Sequence, residues 1–250
     1  MKDNFSSDSN NYAKFRPNYP KELFKWISSM INKKEHAWDC GTGNGQIGIE
    51  LVKDFEEVKA TDISKTQLEE ATKHHQIQYS QQPAEKTNFP SEYFDLIIVG
   101  QAIHWFNFDE FYQEVNRTLQ PNGMLVVTGY NRPSVTPEID NVVTELYAGI
   151  LGEFWDKERK FIDENYKTIP FPYEEIETPQ LVNMYGWTLD HLKGYLQTWS
   201  AVKHFIRAKG FDPIETISEE LKMVWGKQII REVRFPVLLR AGKKIKENHS

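Results

Sequence analysis

Hydrophobic positions recur along this chain in two periods, and the two alternate. Leu23, Phe24, Ile27, Met30 and Ile31 fall at helical spacing behind Pro20, a residue that a first helical turn tolerates. From residue 36 short apolar runs take over. "HAWDCG" reads as a strand entering a glycine loop, and Ile47, Leu51 and Phe55 then mark one face of a helix. "EVKATDIS" reads as a second strand. Ser64 and Gln67 form an S-x-x-Q capping pattern that starts another helix, which Lys73, His74 and His75 close with cations suited to a helix C-terminus. "IQYSQ" is a third strand, and "YFDLIIVG" is the near-continuous apolar run of a central strand buried on both faces. Phe108, Phe111, Tyr112, Val115 and Leu119 give the next amphipathic helix. Pro121-Asn122-Gly123 is a turn and "MLVVTGY" a fifth strand.

Alternating strands and helices imply an α/β fold with an open, mostly parallel sheet covered by helices. In such a sheet a ligand lies beyond the carboxyl ends of the strands, at the switch in strand order. That places the 41–45 loop, Asp62 and the segment after Gly100 around one crevice. After residue 131 the alternation stops. Residues 137–165 read as helical, and 186–226 carry two or three further helices. One of these has Leu189, Leu192, Tyr195, Leu196, Trp199 and Val202 on a face; another has Ile214, Ile217, Leu221, Val224 and Trp225. "REVRFPVLLRAGKK" is a late strand. The expected organisation is a disordered Asn/Ser/Asp-rich N-terminus at 1–10 and an α/β core at 11–130. A mainly helical cap over the crevice follows at 131–210, then the last helix and strand of the core at 211–242 and a polar tail at 243–250.

Composition narrows the class. The 250 residues suffice for a real core, and 39% hydrophobic with 26% charged residues is ordinary for a globular protein. A formal charge of −6 argues against a nucleic-acid partner bound by phosphate neutralisation; the run Lys243, Lys244, Lys246 reads as a solvated tail. The single cysteine, Cys40, excludes an intramolecular disulfide and a thiolate metal cluster and suits a reducing compartment. Lys2 to Asn11 lacks the apolar core of a signal peptide, and no window reaches the ~20 apolar residues of a membrane span. The expected address is the cytoplasm, with no membrane partner; oligomeric state leaves no trace.

The loop "WDCGTGNG" at 38–45 supports two readings. Gly43, Gly45 and Gly48 satisfy G-x-G-x-x-G, the pyrophosphate fingerprint of dinucleotide enzymes. Asp39, Gly41, Gly43 and Gly45 satisfy D-x-G-x-G-x-G, a loop that resembles motif I of S-adenosylmethionine methyltransferases. Asp39, Cys40, Gly41 and Thr42 make a poor strand end for the first register, and a pyrophosphate beside Asp39 would be repelled. An acid there suits a ligand bearing an ammonium group. Asp62 closes the second strand, and its carboxylate can accept ribose hydroxyls from either cofactor.

The chain is similar over most of residues 12–130 to class I S-adenosylmethionine-dependent methyltransferases, and most so to the methyltransferase type 11 group that includes trans-aconitate methyltransferase-like proteins. The resemblance rests on "YAKFRPNYP", "WDCGTGNG", "ATDIS", "PAEKTNFP", "YFDLIIVGQAIHWFN" and "RTLQPNGMLVV" in that order, with "GYLQTWSA" in the cap. It implies a Rossmann-like, mostly parallel seven-stranded sheet with helices on both faces and an inserted helical cap. It implies S-adenosyl-L-methionine as cofactor and S-adenosyl-L-homocysteine as product. Gly41, Gly43 and Gly45 would let the backbone approach the methionine part, with Asp39 and Cys40 beside it. Asp62 would hold the ribose, Ile63 pack on the adenine, and Ala84 and Glu85 lie at the adenine edge. Relatives often have an aspartate where Pro83 stands, which leaves the adenine amino contact in doubt. Gln101 and Ala102 would lie near the sulfonium. Tyr12 and Arg16 belong to an N-terminal segment that in relatives folds over the cofactor.

Methyl transfer from a sulfonium is an in-line displacement that needs mainly alignment, proximity and a dry site. The expected acceptor is a small molecule, with O-methylation of a carboxylate among the outcomes. A carboxylate acceptor wants a cation, for which Arg16 and Arg132 are candidates, and a hydroxyl or amine acceptor wants a base, for which His104 is the candidate. Trp105, Tyr195 and Trp199 are candidate pocket walls. A nicotinamide-dependent oxidoreductase using Gly43, Gly45 and Gly48, and a non-catalytic S-adenosylmethionine-binding protein, remain as alternatives. No G-x-S-x-G elbow, Walker loop or H-E-x-x-H motif occurs, and His74-His75 lacks partners at metal-ligand spacing. The proline–cysteine and (D/N)-P-P-Y motifs of nucleic-acid methylases are absent.

Overall fold

In the computed structural model, which describes residues 15–244, strands and helices alternate through residue 130 as the apolar pattern requires. The strands are β1 (His36–Cys40), β2 (Glu57–Asp62), β3 (Ile77–Gln81), β4 (Phe94–Gly100), β5 (Leu119–Tyr130), β6 (Glu174–Glu175), β7 (Val182–Trp187) and β8 (Arg231–Lys243). The core helices are α1 (Lys21–Met30), α2 (Gly48–Leu51), α3 (Lys65–Glu70) and α4 (Phe108–Thr118). The sheet runs β3-β2-β1-β4-β5-β8-β6, with β7 on the outer part of β8. Strands β1 to β5 are mutually parallel; β8 is antiparallel to β5, and β6 and β7 are antiparallel to β8. The mostly parallel Rossmann-like sheet is therefore present with eight strands, not seven. The extra strand exists because β8 is long: Val237 to Lys243 pair with β5, and Arg231 to Pro236 carry β7.

The sheet is buried on both faces, and β4 shows how. Ile97 and Val99 pack with Trp38, Phe111 and Val115 from the α4 side, while Leu96 and Ile98 pack with Leu23, Ile27, Leu51 and Val58 from the α1 and α2 side. Burying each such side chain contributes ~1.5–3 kcal/mol. Strand order reverses between β1 and β4, so the crevice opens above the ends of these two strands.

Several expectations are corrected. The helix begun by Ser64, whose hydroxyl accepts from Gln67 N–H at 3.3 Å, ends at Glu70. Lys73 still caps it, donating to the Leu68 carbonyl at 2.8 Å. Pro121-Asn122-Gly123 lies within β5 as an irregularity that shifts its register on β4, with Asn122 at φ 66°. Lys243 is the last residue of β8 and no solvated tail, and Lys244 donates to the carbonyls of Asn116 and Leu119 at 2.6 and 2.9 Å.

Cap helices are α5 (Pro137–Thr144), α6 (Arg159–Asp163), α7 (Leu189–Gln197), α8 (Ser200–Lys209) and α9 (Ile214–Trp225), with a π-helical turn at Glu145–Ile150. The single helix expected through Leu189–Val202 is broken: Trp199 is extended at ψ 137°, between α7 and α8. The Thr198 hydroxyl satisfies the Tyr195 carbonyl at 2.6 Å, which lets the chain turn there without a buried orphan. Helix α9 joins the apolar cluster of α5, α7 and α8 through Ile214, Ile217, Leu221 and Trp225, so the cap's cluster extends past residue 210. Conversely Ile162, Tyr166 and Ile169, inside the expected cap segment, pack on the core with Trp38 and Phe111. Among the described residues no helix is long and apolar enough to cross a membrane.

Candidate active site

Strand β1 ends on two residues with opposite fates. Cys40 is sealed in the sheet core, where burial pushes its thiol well above its usual range. Asp39 is 1% exposed, yet it reaches the crevice. Its Oδ2 accepts from Thr42 Oγ1 at 2.5 Å and from the Gly48 N–H at 2.9 Å, while its Oδ1 is buried without a partner among the described residues. Burial raises its pKa to about 7 against these two hydrogen bonds, with Asp62 adding repulsion.

The loop needs glycine for two different reasons. Gly41 has φ 72°, and a Cβ there would stand 2.7 Å from the Ala102 Cβ, so β1 and the segment after β4 touch only because Gly41 has none. Gly45 has φ 84° and the Tyr79 hydroxyl where its Cβ would be, so it faces protein, not the crevice. Gly43 does line the crevice, and its N–H donates to Asp62 Oδ2 at 2.9 Å. Asp62 Oδ1 accepts from Ser64 N–H at 2.8 Å, which aims the carboxylate at the rim beside Ile63. Across the crevice Gln101 holds φ 54° because its side-chain amide pairs with the Tyr130 backbone both ways, Nε2 to O at 3.2 Å and N to Oε1 at 2.8 Å.

Arg16 closes the roof. Its Nη1 donates to the Tyr130 hydroxyl at 3.3 Å and its Nη2 to the Thr198 carbonyl at 3.2 Å, while Tyr195 lies under its guanidinium at 5.4 Å. The chamber so formed gathers Arg16, Asp39, Gly41, Gly43, Asp62, Ile63, Gln101, Ala102 and Trp105.

A second chamber adjoins it, and Arg16, Gln101 and Trp105 wall both. His104, Trp155, Asp156, Arg159 and Trp199 complete the second one. The break at Trp199 matters here, since it turns Trp199 into this space. His104 is held near pKa 3, chiefly by burial and then by Arg159 and Arg16, so it is neutral at physiological pH. Its Nδ1 faces the Tyr166 hydroxyl at 3.5 Å.

Other expected site residues lie elsewhere. Ala84 is core, and Glu85 Oε1 accepts from Asn107 N–H at 3.0 Å; neither lines a chamber. Arg132 stacks on the Tyr147 ring at 4.4 Å and lines a separate surface cavity with Asp140 and Asn165. Tyr195 supports Arg16 from within the cap's aromatic cluster without lining the chambers. Tyr12 lies outside the described residues. Sequence reasoning missed Trp155, Asp156 and Arg159, whose one signal is a pair of aromatic and charged residues at helical spacing in an otherwise unpatterned stretch.

A parallel sheet with an acid-ended first strand, a glycine loop and a second acid at the next strand end defines an α/β nucleoside-cofactor enzyme of the methyltransferase type. The comparisons agree. The family described as a methyltransferase domain matches residues 38–127. A Dictyostelium discoideum protein named as a methyltransferase is 36% identical over 97% of this chain and 95% of its own. A Saccharomyces cerevisiae protein named as an S-adenosylmethionine-dependent methyltransferase is 27% identical over 68% of this chain and 60% of its own. The solved structure of a type II methyltransferase from Anaeromyxobacter dehalogenans is 38% identical and superposes with a TM-score of 0.85 over 92% of this chain and 99% of its own. The chain belongs to the class I S-adenosylmethionine-dependent methyltransferases, and S-adenosylmethionine is its cofactor.

The dinucleotide register is overturned with this. Of its three glycines only Gly43 lines the chamber; Gly48 donates its N–H to Asp39 and Gly45 packs on Tyr79. The residues present fit the cofactor by charge, since the orphaned Oδ1 of Asp39 is an acceptor awaiting a cationic donor such as an amino-acid ammonium.

Proposed function

We propose that this enzyme methylates a small carboxylate-bearing acceptor seated in the second chamber. The observation that carries the reading is the common wall: Arg16, Gln101 and Trp105 line both chambers, so a donor in one and an acceptor in the other meet across them. When bound, the cofactor supplies a methyl group already activated by a positive sulfur. Asp39 and Asp62 are the groups for its ammonium and ribose, with Ile63 against the adenine. Gln101, locked to Tyr130 at two points, cannot swing, and it fixes the partition between the chambers. The cap supplies Trp155 and Trp199 to the second chamber, apolar surface against which an acceptor would displace water.

His104 does not serve as proton acceptor in this scheme. A group held near pKa 3 is a poor base at neutral pH, and a carboxylate oxygen arrives ionised and needs none. His104 instead presents a neutral imidazole to the chamber. Neither chamber has the size for a nucleic-acid strand, and the lone buried Cys40 agrees with a cytoplasmic address.

The test is turnover of S-adenosylmethionine with a panel of small carboxylic acids, alcohols and amines, reading S-adenosylhomocysteine and methyl ester by mass spectrometry. Methyl esters are the expected products. Turnover confined to alcohols or amines would sink the carboxylate assignment.

A further inference from the structure

The partly buried arginines Arg240, Arg117 and Arg159 differ in how their terminal nitrogens are used. Arg240 spends Nη1 on the carbonyls of Tyr166 and Ile169, at 2.8 and 2.7 Å, and Nη2 on Glu175 at 2.6 Å. Arg117 spends Nη1 on the Phe89 carbonyl at 2.7 Å and Nη2 on Glu114 at 2.6 Å. Both are saturated structural struts.

Arg159 is not saturated. Its side chain is 15% exposed and lines the second chamber. Only Nε is engaged: it donates to the Tyr147 hydroxyl at 2.9 Å and lies 3.4 Å from Asp163 Oδ1. Its Nη donors have no hydrogen-bond partner among the described residues. A guanidinium pinned through Nε presents its two Nη groups end-on, the geometry that grips a carboxylate with two parallel bonds. Its face lies 4.9 Å over the Trp155 ring, so the fork is held in one plane.

Tyr147 does the pinning. It projects from the π-helical turn, its hydroxyl donates to Asp163 at 2.7 Å while accepting from Arg159, and its ring carries Arg132 at 4.4 Å. Arg132 thus acts on the chamber only through Tyr147. Trp105, Trp155 and Trp199 give the chamber flat apolar walls, beside the polar Arg16, Gln101, His104 and Ser200. Asp156 shares the chamber, with its Oδ2 3.9 Å from His204 Nδ1 on the cap side.

We propose that Arg159 is the acceptor-binding group, taking the carboxylate of a small, flat organic acid through its Nη donors between tryptophan walls, and that Tyr147 is its positioning residue. This rests on the methyltransferase reading above and names the acid it selects and the residues that select it.

The test uses protein loaded with S-adenosylhomocysteine, with benzoate and cinnamate as probes against benzamide and cinnamamide. Calorimetry reads affinity, and the tryptophan walls report occupancy by fluorescence. At least one acid binds about tenfold or more tightly than its amide in the wild type. Arg159→Met removes that preference with the affinity for S-adenosylhomocysteine within about twofold of wild type, and Arg159→Lys restores part of it as a point charge. Tyr147→Phe weakens the acid about three- to tenfold with the amide unaffected. Equal binding of acid and amide to the wild type overturns the proposal, as does an acid preference that survives in Arg159→Met. Should Arg159→Met lose S-adenosylhomocysteine, Arg159→Lys decides: an unchanged Tyr147→Phe effect with no loss of preference in the lysine variant counts against the fork. Failure of the wild type to bind S-adenosylhomocysteine strikes the methyltransferase reading instead.

Discussion

Asp39 carries a cost that a cationic ligand at its orphaned Oδ1 would relieve. Its folded-state pKa of about 7 lies above that of a free aspartate, ~4, so between these values the folded chain holds a proton that the unfolded chain has lost. The stabilisation from this group is full below pH ~4 and is lost as pH rises through about 7. Asp39→Asn keeps an acceptor for Thr42 and Gly48 and removes the charge. It should raise the melting temperature of ligand-free protein at pH 8, by up to ~2 kcal/mol of stability, and not at pH 4. The affinity of the wild type for S-adenosylhomocysteine should fall about five- to tenfold between pH 8 and pH 6, as the carboxylate takes up its proton, and the asparagine variant should show a flat, weaker profile. Calorimetry at the two pH values reads both. Asp39 and Asp62 were legible in the sequence because each ends a strand of a parallel sheet, where the fold itself aims them. Arg159 was not, because nothing local to residue 159 says that a turn at 145–150 and a break at 199 will close around it.

Elements succeed or fail as units of inference for similar reasons. Strands β1, β4 and the second half of β5 were readable as apolar runs, and β2 and β3 as short alternating stretches with Val58, Ala60, Ile77 and Tyr79 on one face. β6 is two glutamates, and β7 has exposed Val182 and Met184 on its outer face, so neither has the hydrophobic pattern of a strand. Both exist because β8 offers them an edge. The α7–α8 break was invisible because Tyr195, Trp199 and Val202 keep helical spacing across it. At the glycine loop the pattern was right and the reason mixed. Gly41→Ala should cost ~2–3 kcal/mol, since a left-handed φ and a 2.7 Å approach to Ala102 both resist a side chain. Denaturant unfolding checks this, and S-adenosylhomocysteine affinity should fall with it, because the loop moves as β1 and β4 part.

For the molecule as a whole, β8 is the member common to core and cap. Its inner half pairs with β5, its outer half with β7, and Phe235 near the junction is fully buried against Tyr130, Trp187 and Tyr195. Phe235→Ala should cost ~3–5 kcal/mol. Because Tyr130 and Tyr195 both hold Arg16, which walls both chambers, the variant should raise the acceptor KM and weaken S-adenosylhomocysteine together, as steady-state kinetics and calorimetry read. The halt in alternation after residue 131 is visible in the sequence, but which cluster each later element joins is not: Ile214, Ile217 and Leu221 of α9 pack with α7 and α8, and Tyr166 packs with Trp38 and Phe111, and such allegiance is decided by packing.

The paired amide of Gln101 also constrains the history open to this chain. A Cβ at Gly129 would stand 2.5 Å from Gln101 Oε1 and 2.7 Å from the Tyr166 hydroxyl. Three positions far apart in sequence are therefore coupled: a side chain at 129 would require the ends of the Gln101 and Tyr166 side chains to shift. A change at any one of the three positions therefore alters what the other two can hold.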